Sequence, residues 1–262
     1  MACKTFGTTG VPVIVLHGLL GQADNWTTVA KELAENHVVH CLDQRNHGRS
    51  PHADAMSYED MAADVCEFMD DRELDSVVLL GHSMGGKTAM QVAADCPCRV
   101  ERLIVVDIAP RAYPIRHRKA IEAMQAVNPA DFATRGEVDR ALADRVPMPV
   151  LRRFLLKNVV AGPDGGLAWT VNVQAIADAY EAIMDEVPAE WGFDGPTLFV
   201  RGEMSDYLSD SDIPVLEQRF PQAEFATVSG AGHWLHAEAP EVFLTLVRRF
   251  AAPKPSAPQS RL

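Results

Sequence analysis

The sequence is poor in the features that mark specialised folds. Among its 262 residues are only five cysteines, Cys3, Cys41, Cys66, Cys96 and Cys98. An odd count in a chain this long is no disulfide framework, and Cys96-Pro97-Cys98 lacks the two-residue spacing of a redox or zinc pair. A reducing, cytoplasmic setting is therefore expected. Positive charge is also scarce: 24 Lys and Arg stand against 36 Asp and Glu, a net charge of −12. Such acidity argues against nucleic acid or an anionic membrane as partner. No apolar run approaches the length of a membrane span, and the first one, 11–16, is too short for a signal peptide. There is no P-loop, no G-x-G-x-x-G after a strand and no H-E-x-x-H, so nucleotide and metalloprotease chemistry have no sequence support. No internal repeat is visible. No cofactor and no metal are expected.

What is present is the composition of an ordinary globular chain, 47% apolar and 23% charged. Short continuous apolar runs at 11–16, 37–42, 76–80, 103–106, 197–200 and 223–228 suit strands covered on both faces, hence a mostly parallel sheet. Helical spacing separates them at 26–35, 58–69, 84–94, 213–220 and 240–250. Ser57 with Asp60 has the form of a helix start, and Pro240 suits a first helical turn. Alternating strands and helices imply a doubly wound α/β architecture with right-handed crossovers. Between 111 and 190 no strand run appears. Helical patterns at 115–127, 137–144, 149–159 and 173–186 read instead as an inserted helical cap. The expected division is a core of 1–110 and 191–250, a cap of 111–190 and a flexible tail of 251–262.

The strongest chemical signal is Gly81-His82-Ser83-Met84-Gly85, a G-x-S-x-G motif where a strand turns into a helix. The turn forces Ser83 into a strained backbone with its hydroxyl exposed, and the helix N-terminus points N–H groups at the same place. Serine needs a base, and His233 follows the last strand in Ser229-Gly230-Ala231-Gly232-His233-Trp234. Of the other histidines, His17 and His47 lie in loops near the presumed cleft. His37, His40, His52, His117 and His236 have no comparable context and read as solvated or structural. Two carboxylates compete for the role of triad acid: Asp107 ends the strand at 103–106, and Asp206 follows the strand at 197–200. Backbone N–H groups of Met84 and of Leu19, in His17-Gly18-Leu19-Leu20-Gly21, are the candidate oxyanion-hole donors. The polar loop 43–50 reads as a hydrogen-bonded floor to the site.

These stretches, with 106–110 and 230–238, resemble the α/β-hydrolase superfamily, and most nearly the small bacterial esterases of the YbfF type. The resemblance implies an α/β-hydrolase fold with an inserted helical cap. It implies a serine hydrolase that cleaves carboxylic esters of short to medium acyl chains, or thioesters, through an acyl-enzyme on Ser83. It favours Asp107 by a small margin, whereas the Arg-Gly-x-x-Ser-Asp pattern ending at Asp206 resembles the acid loop of the wider superfamily. With only about ten residues before the first central strand, the usual edge hairpin is expected to be short or missing. A lyase or carbon–carbon bond hydrolase with the same triad, or a ligand sensor on this fold, are the competing readings. The expected partner is a small-molecule ester, and the expected state a monomer or homodimer.

Overall fold

A computed structural model describes residues 1–162, 165–188 and 191–252. In chain order the strands and helices of the first half are β1 (Ala2–Phe6), β2 (Val11–Leu16), α1 (Thr27–Leu33), β3 (His37–Asp43), α2 (Tyr58–Asp71), β4 (Val77–His82), α3 (Met84–Asp95) and β5 (Val100–Val106). The insertion follows, with α4 (Arg118–Ala126), α5 (Arg135–Ala143), α6 (Pro149–Leu155), β6 (Val159–Ala161), β7 (Leu167–Trp169) and α7 (Val173–Met184). The chain then returns through β8 (Thr197–Gly202), α8 (Ile213–Arg219), β9 (Ala223–Val228), α9 (Leu235–Glu238) and α10 (Pro240–Ala251). Of the expected flexible tail, residues 253–262 lie outside the described residues.

Seven strands form one sheet in the order β1-β3-β2-β4-β5-β8-β9, parallel except for β1. Its inner strands are buried on both faces, as their unbroken apolar runs require, while the edge strands β1 and β9 stay partly exposed. Along β4, Val77 and Leu79 pack with α2, α3 and the insertion, whereas Val78 and Leu80 pack with α1 and α10. The helix starts follow local chemistry. Ser57 caps α2 reciprocally with Asp60, and Pro240 opens α10 where its missing N–H is harmless.

One expectation needs correction and one is made specific. At the N-terminal edge, expected to have a short or missing hairpin, the one strand β1 pairs antiparallel with β3 from Ala2 opposite Asp43 to Phe6 opposite Val39. The insertion is not strand-free, because β6 and β7 form a short antiparallel pair. Both were hidden for the same reason. A partly exposed edge strand and a three-residue strand carry too little apolar pattern to register as a period.

The topology matters because parallel strands end together. Loops after β2, β4, β5, β8 and β9 all emerge at the carboxyl edge of the sheet, where α/β proteins place their ligands.

Candidate active site

Ser83 occupies the corner between β4 and α3 with φ 54° and ψ −120°, a left-handed conformation that L-residues adopt only under constraint. The corner closes because two neighbours are glycine. A Cβ on Gly81 would stand 2.0 Å from the Gly85 carbonyl oxygen, and one on Gly85 would stand 2.5 Å from that of Leu16. The strand thus delivers Ser83 to the sheet edge, and α3 starts beneath it with unpartnered N–H groups.

A cavity of about 460 Å³ lies over this corner. Its wall brings together Ser83, Met84, Leu19 and His233 from three separate stretches of the core. Among the described residues, the backbone N–H groups of Leu19 and Met84 make no intramolecular hydrogen bond. The loop carrying Leu19 is held from behind. His47 Nε2 accepts from Leu20 N–H at 3.0 Å, and His17 Nε2 accepts from Gln44 N–H at 3.0 Å. Burial pushes His17 down to about 4 and His47 down to about 3, so both rings stay neutral acceptors. They brace the loops from below, and His17 also lines the cavity. Asp43 completes that floor by accepting from Ala23 and Arg49 N–H groups, in line with the expected role of the 43–50 loop.

The two candidate carboxylates meet different fates. Asp107, fully buried and itself at φ 51°, lies 2.7 Å from Nδ1 of His233 through Oδ2. Its Oδ1 accepts from Gly202 N–H at 3.1 Å, and the Ser205 hydroxyl donates to Oδ2. Asp206 turns the other way. It pairs with Arg116 at the surface, its side chain 65% exposed, and that guanidinium holds its carboxyl below the usual carboxylate range. Strand-end position alone did not separate them. Side-chain direction did, because the 202–207 loop folds so that Ser205 faces inward and Asp206 outward.

Several neighbours escaped sequence reasoning. Tyr207 stacks on the His233 ring with centroids 3.9 Å apart and planes at 20°. Its hydroxyl sits 3.0 Å from His117 Nε2. His82 Nε2 donates to the His233 carbonyl at 2.8 Å, tying the residue before Ser83 to the loop that bears the imidazole. His117 and His236, expected to be bystanders, both line the cavity. His236 stacks on Trp26 at 4.2 Å and burial pushes it down to about 3. The Ser of the 201–206 pattern was the one available signal for Ser205. Tyr207 and His117 had none, since their contacts exist only once the loops close.

The insertion supplies Ala120, Val150, Leu151, Phe154, Ile183 and Met184 to the cavity wall. Among the described residues no cluster of His, Cys, Asp or Glu is arranged to hold a metal ion, and no helix is long and apolar enough to cross a membrane.

Comparison with known proteins adds to this geometry. A family model described as alpha/beta hydrolase fold matches residues 11–240. Esterase YbfF of Escherichia coli is 36% identical over 242 residues, spanning 91% of this chain and 92% of its own. The sn-1-specific diacylglycerol lipase ABHD11 of Xenopus laevis is 39% identical over 249 residues, spanning 92% of this chain and 80% of its own. A solved marine microorganism esterase superposes with a TM-score of 0.91 at 44% identity, over 95% of this chain and 98% of that one.

Proposed function

This chain belongs to the α/β-hydrolase fold family, as an esterase/lipase-type hydrolase, and from that premise we propose that it cleaves carboxylic esters through an acyl-enzyme on Ser83. The observation that supports this reading best is the strained Ser83 corner opening into a cavity shared with His233, whose Nδ1 is engaged by the buried Asp107.

In this reading His233 carries its proton on Nδ1, facing Asp107, and offers the Nε2 lone pair to the cavity. Ser83 Oγ attacks the ester carbonyl carbon while Nε2 takes the hydroxyl proton. Negative charge then gathers on the former carbonyl oxygen, where the N–H groups of Leu19 and Met84 receive it. The intermediate collapses by breaking the bond to the alcohol oxygen, which leaves with the proton from Nε2. Water attacks the acyl-enzyme by the same steps. Its proton passes through His233 to Ser83, and the acid is released, so that one ester and one water become one acid and one alcohol.

Asp107 orients the ring and stabilises the imidazolium that forms in each half-reaction. Gly202 N–H and the Ser205 hydroxyl keep the carboxylate in position. Stacked Tyr207 covers one face of the ring and limits its motion. The insertion closes the cavity, and its apolar residues fit an acyl chain of short to medium length. Thioesters present the same carbonyl to the same groups.

The test is covalent labelling with a fluorophosphonate. The wild-type protein should label and the Ser83→Ala variant should not, with ester hydrolysis reduced by at least about 10³-fold. Equal labelling of both would remove Ser83 from the mechanism.

A further inference from the structure

We propose that Lys87 is a specificity-determining residue whose ammonium binds an oxygen, above all a carboxylate, at the distal end of the substrate's acyl group. The proposal rests on the serine-hydrolase reading above and specifies its substrate class as half-esters of dicarboxylic acids.

Lys87 lies in the first turn of α3, four residues after Ser83, and both residues line the same cavity. It is 1% exposed and forms part of the cavity wall. Its Nζ donates to the carbonyl of Arg111 at 3.0 Å and to that of Asp185. Those two carbonyls sit where the chain leaves the core for the insertion and where it comes back. The ammonium also lies over two aromatic rings, with Tyr113 centred 5.1 Å away and Tyr58 5.7 Å away.

An ammonium has three N–H donors, and here the third has no acceptor among the described residues. Nor is there a counter-ion in contact among the described residues. The nearby Asp185 carboxylate is turned to Glu186 N–H at 2.8 Å, and Arg111 is engaged with Asp212. A buried cation held only by dipoles and ring faces is costly unless something completes it. Burial lowers Lys87 to about 8, with the Asp185 charge opposing and the Arg111 charge assisting. Tyr58 and Tyr113 also face it, and the same cavity is lined by the titratable or charged His82, His117, Arg153, Lys157 and His233. The neighbouring wall is apolar, formed by Ile108, Ile183 and Met184. A buried cation with one unfilled donor beside apolar side chains discriminates strongly. A chain ending in methyl leaves the donor unsatisfied, whereas a chain ending in carboxylate supplies both acceptor and counter-charge.

The experiment compares kcat/KM for ethyl half-esters of dicarboxylic acids with ethyl esters of the equal-length monocarboxylic acids, over a series of lengths. The full chain is used in wild-type, Lys87→Met, Arg153→Ala and Lys157→Ala forms, the last two removing the other cationic side chains that line the cavity. At the best-fitting length and pH 7 the wild type should favour the half-ester by at least about tenfold. That ratio should collapse in Lys87→Met. It should also fall in the wild type as pH rises through about 8, where the ammonium loses its charge, while the monocarboxylic series shows no such step. The pH series needs no variant, so it decides the matter even if Lys87→Met fails to fold. Three results would overturn the proposal: no half-ester preference at any length, a preference that survives both Lys87→Met and high pH, or one abolished by Arg153→Ala or Lys157→Ala instead. Turnover of the monocarboxylic esters without any half-ester preference would refute the role of Lys87 alone. Turnover of neither series, or full turnover by Ser83→Ala, would refute the hydrolase reading beneath it.

Discussion

The sheet and the insertion divide the labour of this molecule unequally. Every side chain or N–H assigned to the chemistry comes from a loop at a strand end: Leu19 after β2, Ser83 and Met84 after β4, Asp107 after β5, His233 after β9. The insertion between β5 and β8 gives none of them, only walls. The sheet side is packed solid, with Val13, Ile14, Leu79, Leu80, Leu103 and Ile104 entirely buried. The insertion faces solvent through short helices such as α6, where Val150 is 52% exposed. Placing reacting atoms to within fractions of an ångström demands the rigid half. Choosing among substrates tolerates the softer one.

That contrast can be broken most sharply at the two carboxylates, one rooted in the sheet and one linked to the insertion through Arg116. Asp107→Asn should lower kcat by up to about 10⁴-fold, because an amide there stabilises the wrong imidazole tautomer. Asp206→Asn should change kcat by less than about threefold. Steady-state kinetics of the single variants and the double variant, on one ester, settle it. A collapse in Asp206→Asn with near-normal Asp107→Asn would invert the assignment.

Acid should test the rigid half next. His17 and His47 are buried neutral, at about 4 and about 3 against an ordinary value of 6.5. Because the folded state disfavours their protonation, their contribution is fully present above pH 6.5. It is lost as pH falls from there toward 3–4, by an order of 1–2 kcal/mol for each ring at pH 5. Urea midpoints should therefore drop between pH 7 and pH 5, and His47→Gln should flatten that dependence. An unchanged slope would mean that other groups govern acid unfolding.

A smaller effect belongs to Ser205, which touches no substrate and acts through Asp107. Ser205→Ala should reduce kcat by about tenfold, the loss of one hydrogen bond to a charged group, while KM stays near its wild-type value. A change in KM with kcat preserved would place Ser205 in substrate binding. The smallest effect should come from the insertion. Phe154→Ala removes a ring packed near Trp234, with centroids 5.8 Å apart. It should shift the relative kcat/KM of longer and shorter acyl esters by a few-fold toward the longer, with the best-ester kcat little altered. An unchanged chain-length profile would move selectivity into the sheet side.

The same contrast governs what could be read without coordinates. Strands buried on both faces announce themselves as unbroken apolar runs, so the five inner strands and the Ser83 corner were legible, and β9 was read with them although it lies at an edge. The resemblance of 81–89 and 230–238 to a known superfamily reinforced them. The choice between Asp107 and Asp206 was not legible. It depends on how the 202–207 loop rotates, and that rotation is set by partners distant in sequence: Gly202 N–H and Ser205 for one carboxylate, Arg116 for the other. β1 escaped because an edge strand shows one face to water, and β6 and β7 because three residues make no period. Tyr207 over His233 and Lys87 between two carbonyls are contacts of tertiary structure alone, and no spacing rule encodes them.

The close approach of Gly85 to the Leu16 and His17 carbonyls has a consequence for how such an enzyme can change. There is no room at that seat for even one methyl group, so the turn bearing Ser83 and the turn bearing Leu19 behave as a single casting. Neither can be re-angled by substitution without dislodging the other, and an intermediate sequence would have to survive with both disturbed. Divergence of relatives should accordingly run through the cavity-facing side chains of the inserted helices, which take no part in that seat. An engineer seeking a new substrate should leave the seat untouched and randomise the walls of the cavity contributed by α4, α6 and the end of α7.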